Sequence, residues 1–352
     1  MRRRTLLFGS IGLAATTLLA ACGSGGEQAA TSGAGAKESP EITFLYSPYA
    51  DYGAFFLAQD KGYFAQMGAK VKLVPKGGSS GETYQLVSAG NVVAGGASWG
   101  AGLFNAVKSG ASLSVLSSVS RVPKDGRDPS PFMVAVGSGV KKVADLRGKK
   151  IGVPGPGGFG AYSVALALKT GGLTLKDVEL TNISPPDTGP AMANGAIAAA
   201  WTIEPMSTAL EEKKIATRLV EHHAAGTELG AVVFNTDFLK KNEDAVVKFL
   251  AAYLKAADEL ASGGWKDPAN KAIIAKYTDL PVEMLDRIGL TENDPTGDID
   301  WNSVSLQEQF FREQGDLEYD GNADMQSAFR KDLLDRASAS LGSTPAASPS
   351  NG

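Results

Sequence analysis

Apolar and polar positions change their period several times along this chain, and each change marks an element. Ile42, Phe44 and Tyr46 alternate with Thr43 and Leu45, which predicts a strand; apolar runs at 71–74, 91–97 and 113–119 predict three more. Between them, 54–60, 82–89 and 103–109 carry the helical period. A Pro- and charge-rich stretch, 121–131, breaks the pattern. It resumes with strands at 132–136, 150–153, 178–183, 196–203 and 231–235, with helices at 161–171 and 189–194. From 236 the period is helical: 242–261, 270–276, 282–288, 303–315 and 324–341. Phe249, Leu250, Tyr253 and Leu254 form an apolar stripe on the first of these, read as core. Strands alternating with helices at this spacing predict an α/β fold with open, mostly parallel sheets. The break at 121–131 divides it into lobe I (41–131 with 236–341) and lobe II (132–235), with strand 231–235 as the return crossing.

The two ends read differently. Arg2, Arg3 and Arg4 precede an apolar run at 6–19, too short for a comfortable membrane span, so 1–21 reads as a secretion signal. Leu19-Ala20-Ala21-Cys22 resembles the lipobox of bacterial lipoproteins, and the one cysteine of the chain falls where that motif needs it. The expectation is a lipid anchor at Cys22 and a protein held on the outer face of the cell membrane. A mature chain with no other cysteine forms no internal disulfide. Residues 22–40 and 342–352 are rich in small polar residues and read as a tether and a frayed tail. The net charge is −4, and −7 once the three arginines of the signal are removed. A mildly acidic surface argues against nucleic acid as a partner.

Chemistry concentrates at predicted strand ends. The stretch that organises the chain runs from strand 150–153 through the loop 155–160 (Gly-Pro-Gly-Gly-Phe-Gly) into an Ala-rich helix. This geometry aims the free N–H groups of a helix start at a ligand, and glycine lets the ligand approach closely. In open α/β sheets ligands sit beyond the carboxyl ends of the strands. The candidates there are Ser47, Tyr49, Tyr52, Ser79, Ser80, Ser98 and Trp99 from lobe I, and Gly158, Phe159, Gly160, Asp187, Trp201 and Glu204 from lobe II. The aromatic members suit a flat organic ligand, and Glu204 suits an amine or ring N–H. The loop also matches G-x-G-x-x-G, but no acid ends the next strand, so a dinucleotide site and any other cofactor are not expected. The only histidines, His222 and His223, are adjacent, which fits neither a metal-binding helix face nor a catalytic triad; they read as a solvated loop, and no metal is expected. Asp125, Arg127 and Asp128 read as a solvated turn, and Arg121 as a hinge salt bridge. No nucleophile–base pair is visible, so the chain does not read as an enzyme. The one acid–base pairing open to an enzyme acting on a heterocycle is Glu204 with Asp187.

Four segments, taken in order, resemble the solute-binding lipoproteins of ABC importers, in the group that takes up nitrate, sulfonates, taurine and pyrimidine precursors. They are Gly62-Tyr63-Phe64 with Gly68 and Val71; the run from Ala144 to Pro154 containing Asp145-Leu146-Arg147-Gly148-Lys149-Lys150; Ala193-Asn194-Gly195 with Ala198-Ala199-Ala200; and Glu204-Pro205. The resemblance implies a two-lobe periplasmic-binding-protein fold of type II-like topology with two crossings. It also implies a monomer that carries a sulfonate, a pyrimidine-like or an aromatic compound to an ABC permease; a ligand-sensing partner of a receptor is the other role open to it. Three departures limit the transfer of specificity: the loop has Gly157-Gly158-Phe159-Gly160 where the family commonly has Ser or Thr, Ile203 stands where it has Trp, and the acid common before its Ala-Ala pair is absent.

Overall fold

A computed structural model describes residues 39–76 and 80–342. The expected signal, Cys22 with most of its tether, Ser79, and the tail at 343–352 lie outside the described residues.

Among the described residues, ten strands form two five-stranded sheets: β1 Glu41–Tyr46, β2 Lys70–Pro75, β3 Ala94–Ser98, β4 Leu113–Arg121, β5 Phe132–Ala135, β6 Lys150–Val153, β7 Glu179–Asn182, β8 Ala199–Trp201, β9 Ala216–Val220 and β10 Glu228–Asn235. The first sheet runs β2-β1-β3-β10-β4 and the second β7-β6-β8-β5-β9. Each has three parallel strands followed by an antiparallel one: β10 opposes both β3 and β4, and β5 opposes both β8 and β9. The chain passes to the second sheet between Arg121 and Phe132 and returns between Val220 and Glu228. β10 is therefore a central strand of the first sheet, although its residues lie within the segment expected to form lobe II.

Burial explains the elements. Every residue of β10 is buried, as an interior strand of a covered sheet should be, and β4, at the end of the strand order, is buried along all but its last residue. The stripe on helix Glu243–Ala261 packs on β1 and on helix Gly53–Asp60: Phe55 stacks on Phe44 at 4.5 Å and on Tyr253 at 4.4 Å, with Phe249 5.5 Å from Phe44. Asp300 starts helix Trp301–Gln314 by accepting the N–H groups of Asn302 and Ser303. The helical period at 324–341 breaks into a short turn, Met325–Ala328, and helix Lys331–Gly342. Strand β9 and helix Met206–Glu212 carry no clear period and are not predicted by pattern. Among the described residues no helix is long and apolar enough to cross a membrane.

Candidate functional site

The carboxyl ends of the parallel strands of both sheets surround one cavity of about 300 Å³. The first lobe supplies Ser47, Tyr49, Asp51 and Tyr52 after β1, Lys76 after β2, and Ser98 at the end of β3. The second supplies Pro154 and Gly155 after β6, Phe159 and Gly160 at the start of helix Phe159–Lys169, Asn182 at the end of β7, Ser184 after it, and Trp201 of β8. Of the expected candidates, Ser47, Tyr49, Tyr52, Ser80, Ser98, Phe159, Gly160 and Trp201 line it. This is the strand-end placement that open α/β sheets give their ligands.

The two lobes touch at the glycine loop. Gly100 and Gly158 form an isolated antiparallel bridge, and the Ala101 N–H donates to Gly157 O at 2.9 Å. Tyr162 of helix Phe159–Lys169 meets Phe310 of helix Trp301–Gln314 edge-on at 5.2 Å. The N–H groups of the loop are partly spent: Gly155 donates to Asn182 Oδ1 at 3.0 Å and Gly158 to Gly155 O at 3.1 Å. Ser98 N–H is also taken, by Ser80 Oγ at 3.0 Å, and the two hydroxyls lie 2.9 Å apart. The loop thus serves as a latch as well as a wall.

Aromatic rings set the shape of the cavity. Trp201 donates its indole N–H to Ser130 Oγ at 2.7 Å, which fixes the ring against Phe159 at 5.8 Å and 63°. Its face rests on Gly160, where an added Cβ would fall 2.9 Å from Cε3. Tyr52 lies over Gly96 in the same way; a Cβ there would fall 2.3 Å from the ring. Side chains at Gly96 and Gly160 would displace the rings that form the walls.

Two charged groups share this space. Asp51 is 8% exposed, and burial pushes its carboxyl up to about 7, against the opposing pull of the backbone N–H groups of Asp51 and Tyr52. Lys76 is pushed down to about 8 by burial, and Glu82 acts in the opposite sense. Burial likewise raises the Tyr49 and Tyr52 phenols far above their ordinary value, so they stay neutral. Asp51, Lys76, Asn182 and Ser184 were not singled out from sequence. The strand-end rule, applied to every strand rather than to the loops rich in hydroxyls and aromatics, would have named the last three.

Four expected site residues lie elsewhere. Trp99 is fully buried in the first lobe, stacked near Phe104 at 6.2 Å and edge-on to Trp301 at 6.3 Å. Gly158 faces a neighbouring groove and forms the bridge to Gly100. Asp187 sits in the first turn of helix Pro185–Ala193 and accepts the Ser184 hydroxyl at 2.5 Å. Glu204 is buried and committed to the Thr208 N–H and hydroxyl, at 3.0 and 2.9 Å, and to the Arg218 guanidinium. The proposed pair of Glu204 and Asp187 therefore does not meet at the cavity.

The hinge region also departs from its expected character. Asp128 is buried rather than solvated; its carboxylate accepts the N–H groups of Ser130 at 2.8 Å and His222 at 2.6 Å, one on each crossing. His223 is half-buried, with Nε2 2.8 Å from Ser163 Oγ, and burial lowers its pKa. Neither member of that pair lines the cavity. Arg121 takes the hinge role expected of it, paired with Glu228 and with Asp294 at 2.8 Å. Among the described residues no group of three or more His, Cys, Asp or Glu could hold a metal ion.

No curated protein matches the chain by sequence. Among solved structures it is similar to the alkanesulfonate-binding protein SsuA of Xanthomonas axonopodis pv. citri bound to MOPS, at 19% identity and a TM-score of 0.69, covering 84% of this chain and 99% of that one. It is similar to the periplasmic nitrate-binding protein NrtA of Synechocystis, at 15% identity and a TM-score of 0.72, covering 90% and 93%. It is also similar to the desulfurization enzyme DSZB, at 16% identity and a TM-score of 0.59, covering 85% and 99%. These likenesses carry the two-lobe binding-protein fold, which supports both binding proteins and an enzyme. A profile described as NMT1/THI5 like matches residues 50–263, more than half of the chain, and the chain belongs to that family.

Proposed function

We propose that this protein captures a small organic solute between its two lobes and delivers it to the permease of an ABC importer. The observation that carries this reading is the cavity itself. Both sheets point their strand ends into it, and beside it, at the adjoining groove, the backbones of the two lobes are hydrogen-bonded by Ala101 and Gly157. Its volume of about 300 Å³ lies at the small end of ligand sites, and its lining of rings with a few polar groups is typical of them. Closure by bending at the two crossings would shut a solute away from water. The similar proteins named for sulfonate and nitrate binding support the reading at the level of fold. Export and attachment through Cys22 follow from the signal-like start and the lipobox-like run, and they would place the protein where such a carrier works. We take the working unit to be the monomer.

The test is native mass spectrometry of protein purified without unfolding, followed by thermal-shift screening after the carried solute is stripped. A bound mass below a few hundred daltons, released intact, is expected. A chain that carries nothing and is stabilised by no compound in panels of sulfonates, pyrimidines and aromatic acids and bases would overturn the proposal. Conversion of the released solute during incubation would turn the reading towards an enzyme on the same scaffold.

A further inference from the structure

Most hydrogen-bond donors around the cavity already serve the protein. Gly155 and Gly158 of the loop, the Ser98 N–H and the Trp201 indole donate within the chain, and the Ser184 hydroxyl donates to Asp187. Asn182 differs. It ends β7, in a register that sets it beside Val153 of β6, and it is exposed at the cavity wall. Its Oδ1 accepts the Gly155 N–H at 3.0 Å. Only an oxygen can take that hydrogen, so the sense of the amide is fixed and its other end is the NH2 group. Nδ2 has no partner among the described residues. The wall therefore carries an accessible donor whose direction is held by the main chain of the glycine loop.

Building on the solute-capture reading, we propose that Asn182 determines specificity: its NH2 group donates to a carbonyl oxygen or ring nitrogen on the edge of a flat, uncharged solute. The surroundings fit such a guest. Trp201, fixed by Ser130, stands with Phe159 and Tyr52 around the same space and offers it aromatic surface. A full negative charge enclosed between the lobes is costly unless a cation answers it. Among the described residues no arginine lines the cavity, and Lys76 shares the wall with Asp51 and has Glu82 close by. The start of helix Phe159–Lys169 contributes about half a unit of positive charge, too little to answer a sulfonate alone. A neutral acceptor needs no such partner, and an amide N–H is enough to hold it.

The experiment is calorimetry near neutral pH on the purified, solute-stripped protein, with three probes of similar size: benzamide, benzenesulfonate and benzamidinium. Benzamide carries the acceptor without charge, benzenesulfonate carries oxygens with a full charge, and benzamidinium has an N–H donor where benzamide has its oxygen. Benzamide is expected to bind at least about tenfold more tightly than either of the others. Asn182→Asp keeps an oxygen for the Gly155 N–H and replaces the NH2 group by a second acceptor. It is expected to lower the affinity for benzamide at least about tenfold and to raise that for benzamidinium, a reversal that a merely structural role of Asn182 would not produce. The preference of the wild type among the probes carries the test even where Asn182→Asp fails to fold. Tighter binding of either charged probe than of benzamide by the wild type, or equal binding of benzamide by Asn182→Asp, overturns the assignment. Protein that carries a native solute and prefers the sulfonate, or binds no probe, loses the assignment and keeps the capture function; protein that carries no solute and binds no probe loses both.

Discussion

Replacing Gly100 by alanine separates closure from folding. The backbone of Gly100 is extended, with φ −177° and ψ 169°, a conformation any residue adopts, so alanine brings no strain of its own. Its Cβ would fall 2.7 Å from Gly157 O and 3.2 Å from Gly158 Cα, both in the opposite lobe. Ordinary contact begins at 3.4 Å, so the two loops must part by about 0.7 Å. The same movement stretches the 2.9 Å hydrogen bond from Ala101 N–H to Gly157 O. Overpacking of this kind costs about 1–3 kcal/mol, and a lost hydrogen bond about 0.5–1.5 kcal/mol. The closed arrangement should therefore lose about 2–4 kcal/mol, while an arrangement with the loops apart loses nothing. For a solute held only in the closed form, Kd should rise about 30- to 1000-fold. The assay is calorimetric titration of stripped wild-type and Gly100→Ala protein with the solute identified by mass spectrometry, alongside the urea midpoint of each without solute. An affinity within about threefold of wild type, with the fold intact, would refute the idea that contact at this rim controls capture.

Three further outcomes follow from buried charge. In the solute-free protein the Asp51 carboxyl keeps its proton up to about 7, whereas the unfolded chain releases it near 3.8, so stability should decline by up to about 4 kcal/mol as pH rises through that window. Urea unfolding of Asp51→Asn should lack this component of the decline, and parallel curves for the two proteins would contradict the reading. Arg218→Ala removes the hydrogen-bonded cation of buried Glu204 and leaves it only Arg127, 3.8 Å away and more exposed; both Glu204 and Arg218 are almost inaccessible, so the change should cost up to about 3–5 kcal/mol in urea unfolding, and an unchanged midpoint would exclude that role. His223 is lowered below its ordinary value of 6.5 by burial, so the unfolded chain takes up a proton first and stability should fall as pH drops from about 6.5 towards the folded-state pKa; His223→Gln should flatten that part of the profile.

How far the sequence could be read depends on how local each signal is. Apolar alternation located β1 and β6, and the spacing of Phe249 and Tyr253 located the long helix, because these patterns arise within a few residues. Strand β9 escaped because Thr217 and Arg218 dilute its apolar character. The position of β10 between β3 and β4 depends on pairings across more than a hundred residues, which no local period encodes. The site divided in the same way. Strand-end position found Tyr52, Phe159 and Trp201, but it could not tell Trp99 from them, since its burial comes from Phe104 and Trp301. Asp51 resembled an ordinary turn acid in sequence, and Asn293, whose amide fixes its main chain, lies 242 residues away. Asp128 and His223 were misread as solvated for the same reason: their partners, His222 and Ser163, are brought to them by the fold.

The two crossings are bound to each other. Beyond the ends of β4 and β10 their backbones continue the ladder, with Val122 N–H donating to Thr227 O at 2.9 Å and Gly226 N–H to Val122 O at 2.8 Å. Arg121 spans the pair through Glu228, and the Asp128 carboxylate fastens the later part of one strap to His222 of the other. Two separate linkers would let one half of the molecule twist, slide and bend against the other. A single bonded ribbon resists shear and torsion and yields chiefly to flexing across its width, so any opening of the halves is confined to a swing about one axis.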